Sequence, residues 1–209
     1  MSEDPITVLA VDDHPLLREG IASVLEGADD LTLVAQASSG PEALEMFRLH
    51  RPDVTLMDIQ MPGMNGIDTL VEIRKESPAA RLIMLTVYRG DVQARSAIKA
   101  GACGYLLKSM VQKELREAIR VVHSGQRYIP SEIASELAKG IAYESLSEVE
   151  VDVLRLVAAG NSNKRVAVAL QVPEETVKSR MKSILVKLDA CDRTHAVTLA
   201  LKRGIIEMI

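Results

Sequence analysis

The run Val54-Thr55-Leu56-Met57-Asp58 decides the fold of this 209-residue chain. Its first four residues are apolar or β-branched with no polar alternation, which reads as a strand buried on both faces, as interior strands of parallel sheets are. The carboxylate of Asp58 is then delivered to the C-terminal edge of the sheet, where open α/β sheets bind ligands. The Pro62-Gly63 and Asn65-Gly66 pairs that follow mark a tight irregular loop leading into a helix.

Working outward, the same alternation of short apolar runs and amphipathic stretches repeats. Ile6 to Val11 reads as a strand ending in Asp12-Asp13, and His14-Pro15 opens a helix with Leu16, Leu17, Ile21, Val24 and Leu25 on one face. Leu31 to Ala37 is the next strand, and the helix opened by Gly40-Pro41 runs to the break at Arg51-Pro52. Beyond Asp58 come a helix from Ile67 to Lys75, a strand from Arg81 to Thr86, and a helix from Val92 to Ala100 closed by Gly101. A strand from Cys103 to Leu107 and a helix from Val111 to about Ser124 complete the pattern. Five strands alternating with five helices predict a doubly wound α/β fold with a parallel sheet.

In such a sheet every strand ends on one edge, so Asp12, Asp13, Asp58, Thr86 and Lys108 converge although they are distant in sequence. Three carboxylates together would raise one another's pKa unless a hard cation sits among them. Three ionised Asp, one Mg²⁺ and the Lys108 ammonium sum to zero formal charge, which predicts a divalent-ion site. A carboxylate beside a metal, a hydroxyl and an ammonium is equipped for acyl-phosphate chemistry, with Asp58 as the nucleophile. His14 is read as a loop or helix-start residue, because Mg²⁺ prefers oxygen donors. Met57, Met61 and Met64 flank the site as packing groups.

The set Asp12-Asp13, Asp58, Thr86, Tyr105 and Lys108 resembles the CheY-like receiver domain of two-component response regulators, over about Ile6 to Ser124. The resemblance implies that Asp58 accepts phosphate from a sensor histidine kinase. It also implies that Asp13, Asp58 and the Gln60 carbonyl hold Mg²⁺ with Asp12 acting through metal-bound water, that Thr86 and Tyr105 form a switch pair, and that Lys108 pairs with phosphoryl oxygens. Many receivers carry Pro after the lysine in a cis peptide; Ser109 stands here, where a cis bond would cost about 3 kcal/mol.

Charge divides the chain. Residues 1 to 145 hold 15 Lys/Arg and 21 Asp/Glu, net −6, whereas 146 to 209 hold 10 and 8, net +2. Any contact with a polyanion therefore belongs to the second half. Trp is absent and Phe47 is the only Phe, which disfavours single-strand binding by base stacking. Cys103 and Cys191 lack metal-ligand spacing and read as small buried residues of an intracellular protein. With neither a signal-peptide pattern nor a membrane-length apolar run, the expected location is cytoplasmic.

The rhythm changes after the fifth helix, so residues 1 to 124 form the first domain and 125 to 145 a linker, with a short helix from Glu132 to Lys139 before Gly140. The second domain, 146 to 209, reads as four helices. Ser147 to Glu150 is a capping-box pattern, a second helix starts at Ser162-Asn163-Lys164, and a third runs from about Glu174 to Leu188 after a short turn. That spacing is a helix-turn-helix, with Val177, Met181, Ile184, Leu185 and Leu188 inward and Lys178, Ser179, Lys182 and Lys187 elsewhere on the surface. The stretch from Leu146 to Ile206 resembles the LuxR-type output domain of the NarL/FixJ subfamily, carried by Leu146-Ser147, Glu150, Ser162-Asn163-Lys164, Thr176-Val177-Lys178 and Lys187-Leu188. The resemblance implies duplex DNA as partner and a homodimer as the active form. Lys178, Ser179 and Lys182 would then face bases, and Lys164 and Thr176 phosphates. Val149, Val151, Arg165, Pro173 and Arg180 depart from the family's usual residues.

The expected function is that of a phosphorylation-controlled transcription regulator rather than an enzyme. A phosphohydrolase would need an acid-base two residues after Asp58, where Gln60 stands. A phosphate-regulated protein-binding module without DNA contact is the alternative, separated by salt-dependent duplex binding.

Overall fold

The computed structural model describes residues 4–87, 91–131, 133–135 and 146–206. Five strands, β1 (Ile6–Val11), β2 (Leu31–Ala37), β3 (Val54–Asp58), β4 (Leu82–Thr86) and β5 (Gly104–Leu107), alternate with five helices. These are α1 (Pro15–Glu26), α2 (Gly40–His50), α3 (Gly66–Glu76), α4 (Asp91–Ala100) and α5 (Val111–His123). All pairings are parallel, in the order β2-β1-β3-β4-β5. The order reverses beside β1, so the crevice at the switch point lies between the ends of β1 and β3, which carry Asp12 and Asp58.

Side chains alternate across the sheet. Val8, Ala10, Val54, Leu56, Ile83, Leu85 and Leu106 pack with Ile21 and Leu25 of α1 and with Leu115, Ala118, Ile119 and Val122 of α5. The opposite parity, Leu9, Val11 and Met57, is equally buried, as is each residue of β3, so this strand is covered on both faces as its composition requires. Caps follow the sequence signals: Ser39 and Asn65 accept the backbone N–H groups of Glu42 and Asp68, and Gly101 closes α4 at φ 102°.

Several expectations change. Leu16 is 83 % exposed, because it lies about 100° around α1 from Leu17 and outside the stripe of Leu17, Ile21, Val24 and Leu25 that carries the inward face. Arg81 and Cys103 precede their strands by one residue. Tyr128, assigned to the linker, runs beside β5, donating its N–H to the Cys103 carbonyl and accepting from the Tyr105 N–H. Tyr128 thereby satisfies part of the outer edge of the sheet. Most of the proposed helix from Glu132 to Lys139, and Gly140, lie outside the described residues. Among those described no peptide bond is cis, the one before Ser109 included.

The C-terminal helices form a second compact unit. They are α6 (Glu148–Ala158), α7 (Asn163–Leu170), α8 (Glu174–Leu188) and α9 (Arg193–Lys202). Its own core comprises Val153, Leu154 and Val157 of α6, Val166 of α7, Val177, Met181, Ile184 and Leu188 of α8, and Ala196 and Ala200 of α9. Ser147 and Glu150 make the complete capping box on α6, Ser162 caps α7, and Pro173 leaves α8 without a side-chain cap. Cys191 is a correction: it is exposed in the turn before α9, its Sγ 3.1 Å from His195 Nδ1, since a turn between two surface-lying helix ends offers no core to enter.

Candidate functional site

Each strand end delivers one group. Asp12 follows β1, Asp58 ends β3, Thr86 ends β4, and Lys108 opens the 3₁₀ turn Lys108–Met110 that caps β5. Asp12 and Asp58 are buried, at 0 % and 1 % exposure. Lys108 Nζ bridges them, 2.7 Å from Asp12 Oδ2 and 2.8 Å from Asp58 Oδ2. Asp58 Oδ1 accepts the Gln60 backbone N–H at 3.2 Å, and Asp12 Oδ1 accepts that of His14 at 2.9 Å. Asp13 stands at the mouth of the pocket, its Oδ1 2.7 Å from His14 Nδ1.

The electrostatics follow from burial. Desolvation pushes the Asp58 carboxyl up to about 6, with Lys108 opposing the rise and the Asp12 carboxylate adding to it. Burial works to lower Lys108, but the Asp12 and Asp58 carboxylates outweigh it and hold the ammonium above its ordinary value. Tyr105 is wholly buried, and burial pushes its phenol up to about 12 against the opposing pull of the neighbouring Thr86 side chain. Thr86 and Tyr105 are thus brought together on the neighbouring strands β4 and β5. Met57 and Met61 are packing groups, as expected.

Gly66 is a requirement that the sequence pattern only hinted at. A Cβ there would lie 1.9 Å from the Asp58 carbonyl oxygen, while the Gly66 N–H donates to the Ile59 carbonyl at 2.9 Å. The loop after β3 is therefore drawn tight under Asp58 by the absence of a side chain. The Asn-Gly pair signalled a turn, but this backbone approach is a tertiary fact.

The second unit presents one face of α8. Glu175, Lys178, Ser179 and Lys182 are exposed at helical spacing, Thr176 is half-buried, and Lys164 is exposed on the first turn of α7. Lys178 Nζ lies 3.1 Å from Glu175 Oε2, an exposed pair that the sequence reading did not single out. Lys187 does not share this surface. Its Nζ lies 2.9 Å from Oε2 of Glu150, which is 6 % exposed and also accepts from the Ser147 N–H and, on Oε1, from the Ser183 hydroxyl. Burial opposes ionisation of Glu150, yet Lys187 and the serine donors prevail and bring its carboxyl down to about 2. No helix among the described residues is long and apolar enough to cross a membrane.

A parallel sheet whose switch-point edge gathers three carboxylates and an ammonium, joined in one chain to a helix-turn-helix unit, defines a receiver coupled to a DNA-binding output. Residues 8–120 match the response regulator receiver domain, and residues 144–200 match the bacterial regulatory proteins of the luxR family. The chain belongs to the NarL/FixJ-type response regulators, which combine these two domains. It is 34 % identical over 208 residues to response regulator protein VraR of Staphylococcus saprophyticus, covering 97 % of this chain and 100 % of that one. Identity to the nitrate/nitrite response regulator protein NarL of Escherichia coli strain K12 is 34 % over 204 residues, covering 93 % and 94 %. The crystal structure of response regulator ChrA of a heme-sensing two component system is similar at 33 % identity and a TM-score of 0.59, covering 98 % of this chain and 100 % of that one.

Proposed function

We propose that Asp58 accepts a phosphoryl group from a sensor histidine kinase and that the acyl phosphate controls binding of α8 to promoter DNA in the cytoplasm. The observation that carries this reading is the buried Asp58 carboxylate held 2.8 Å from the Lys108 ammonium at the switch point. In the transfer, an Asp58 oxygen forms the new bond to phosphorus as the phosphorus–nitrogen bond of the kinase phosphohistidine breaks, returning the imidazole to the kinase. A carboxyl near 6 is mostly ionised at neutral pH, so the nucleophile is available while its burial keeps water from screening it. Lys108 is positioned to follow the negative charge from carboxylate to phosphoryl oxygens.

The donor set fits a divalent cation. Ligand atoms of Asp12, Asp13 and Asp58 lie within 4.8 Å of one another, and three carboxylates against one ammonium leave two negative charges uncompensated. Asp13, Asp58 and the Gln60 carbonyl would hold Mg²⁺, with Asp12 acting through a bound water. The ion would neutralise the equatorial oxygens of the incoming phosphoryl group. Gln60 supplies an amide where a phosphohydrolase would need a second carboxyl, so the acyl phosphate serves as a signal rather than a turnover intermediate.

Acetyl phosphate is a direct test. Wild type should be labelled in the presence of Mg²⁺, and labelling should disappear in Asp58→Asn and in excess chelator. Undiminished labelling of Asp58→Asn would count against the assignment.

A further inference from the structure

The open face of α8 carries an acid among its bases. Glu175, Lys178, Ser179 and Lys182 recur at the spacing of one helical face, and Lys178 Nζ lies 3.1 Å from Glu175 Oε2. We infer that Glu175 and Lys178 act as one reading group for a C·G base pair in the major groove, with Glu175 setting the base preference; the inference rests on α8 being the DNA-reading helix.

The pair lies outside the packing of the helical unit. The Glu175 side chain is 84 % exposed and that of Lys178 52 %, and exposed ion pairs at this spacing add little stability. Glu175 is the second residue of α8 and Lys178 the fifth, within the N-terminal part that a recognition helix turns toward base edges. The hydrogen bond to Glu175 holds the Lys178 ammonium above its ordinary value, so the partner of the carboxylate is a full positive charge.

A carboxylate on a DNA-facing surface is repelled by the phosphates and by the N7, O6 and O4 acceptors of the major groove. It is accommodated where it meets a donor, and the base donors there are cytosine N4 and adenine N6. The neighbouring ammonium decides between them. In a C·G pair the N4 donor and the O6 acceptor are joined by an N–H···O bond of about 2.9 Å, close to the 3.1 Å between Glu175 and Lys178. Each charge therefore meets its complement without the pair parting. Beyond O6 lies N7, a second acceptor for the ammonium, and beyond N4 no acceptor repels the carboxylate. An A·T pair reverses both relations, with adenine N7 beside the carboxylate and the thymine methyl beside the ammonium.

Selection of binding sites from a random duplex library, with the full-length protein in Mg²⁺ and beryllofluoride, tests the assignment. Wild type should select a C·G pair, in one orientation, at one position of each half-site. Glu175→Ala should lower the preference for that pair by about tenfold or more, and Glu175→Gln should shift it toward adenine, which an amide reads through N6 and N7. Circular dichroism of both variants checks that the helices persist. Base preferences that are the same in wild type and both variants, or an equal rise in affinity for every duplex in Glu175→Ala, overturn the role of Glu175 and leave α8 as the reading helix. Undiminished duplex binding by both Lys178→Ala and Lys182→Ala overturns that reading of α8 as well.

Discussion

Glu150 sits in an environment unusual for its type. It is an acid buried in a helical unit, satisfied by Ser147, Ser183 and Lys187 together. Because its carboxyl is held at about 2 against an ordinary 4.5, linkage assigns it stabilisation on the order of 3 kcal/mol at neutral pH. The sign is that of a depressed acid: the contribution is complete above about pH 4.5 and is lost as pH falls through about 2. Glu150→Gln should therefore unfold at lower denaturant concentration than wild type at pH 7, and the gap between them should narrow as pH falls below about 4.5. Denaturant midpoints measured from pH 7 down to 3 check this; a gap independent of pH would remove the ion pair as its cause. The capping box at Ser147 and Glu150 was legible in the sequence because its partners are three residues apart. The bond to Lys187 was not, since it joins residues 37 positions apart and depends on how α6 packs across α8.

Among the helices, α8 carries the clearest division of labour. Its inward stripe of Val177, Met181, Ile184, Leu185 and Leu188 was read from period alone, and the structure buries four of the five and half-buries Leu185. The outward stripe was only partly legible. Lysines at 178, 182 and 187 look equivalent in a sequence, yet 187 is turned into a buried ion pair while 178 and 182 remain on the open face. Lys182→Ala should weaken duplex binding by about 1 to 3 kcal/mol if it meets a base edge, with a loss of discrimination between cognate and random sequence. Titration of both duplexes at two salt concentrations measures this. An equal loss on both would make Lys182 a phosphate contact instead. The first turn of α1 shows the same dependence on face: Leu16 and Leu17 are chemically alike and adjacent, yet only Leu17 falls in the stripe with Ile21, Val24 and Leu25 that meets the core.

For the molecule as a whole, the expected switch begins at Thr86. A phosphoryl group adds roughly −1.5 to −2 charges at the sheet edge, and its oxygens are strong acceptors for the Thr86 hydroxyl. Tyr105, buried against Thr86, is placed to respond. If the response reaches a dimer surface, two half-sites read together turn a modest change in association into a large change in DNA occupancy. Beryllofluoride should therefore shift both sedimentation and promoter affinity in wild type, and Thr86→Ala should blunt both shifts. Unchanged association and affinity in wild type would mean that Asp58 does not throw the switch. The all-parallel topology also sorts the chain for the protein engineer. Asp12, Asp13, Asp58, Thr86 and Lys108, the groups proposed to handle the phosphoryl group, all hang from the carboxyl ends of strands, while the turns that enter those strands lie at the other edge. The exposed Pro78-Ala79 turn ahead of β4 is thus a natural insertion point for a fluorescent reporter or affinity tag, remote from the chemistry. The equally exposed Pro62-Gly63 turn is not, because it belongs to the loop that Gly66 draws tight beneath Asp58.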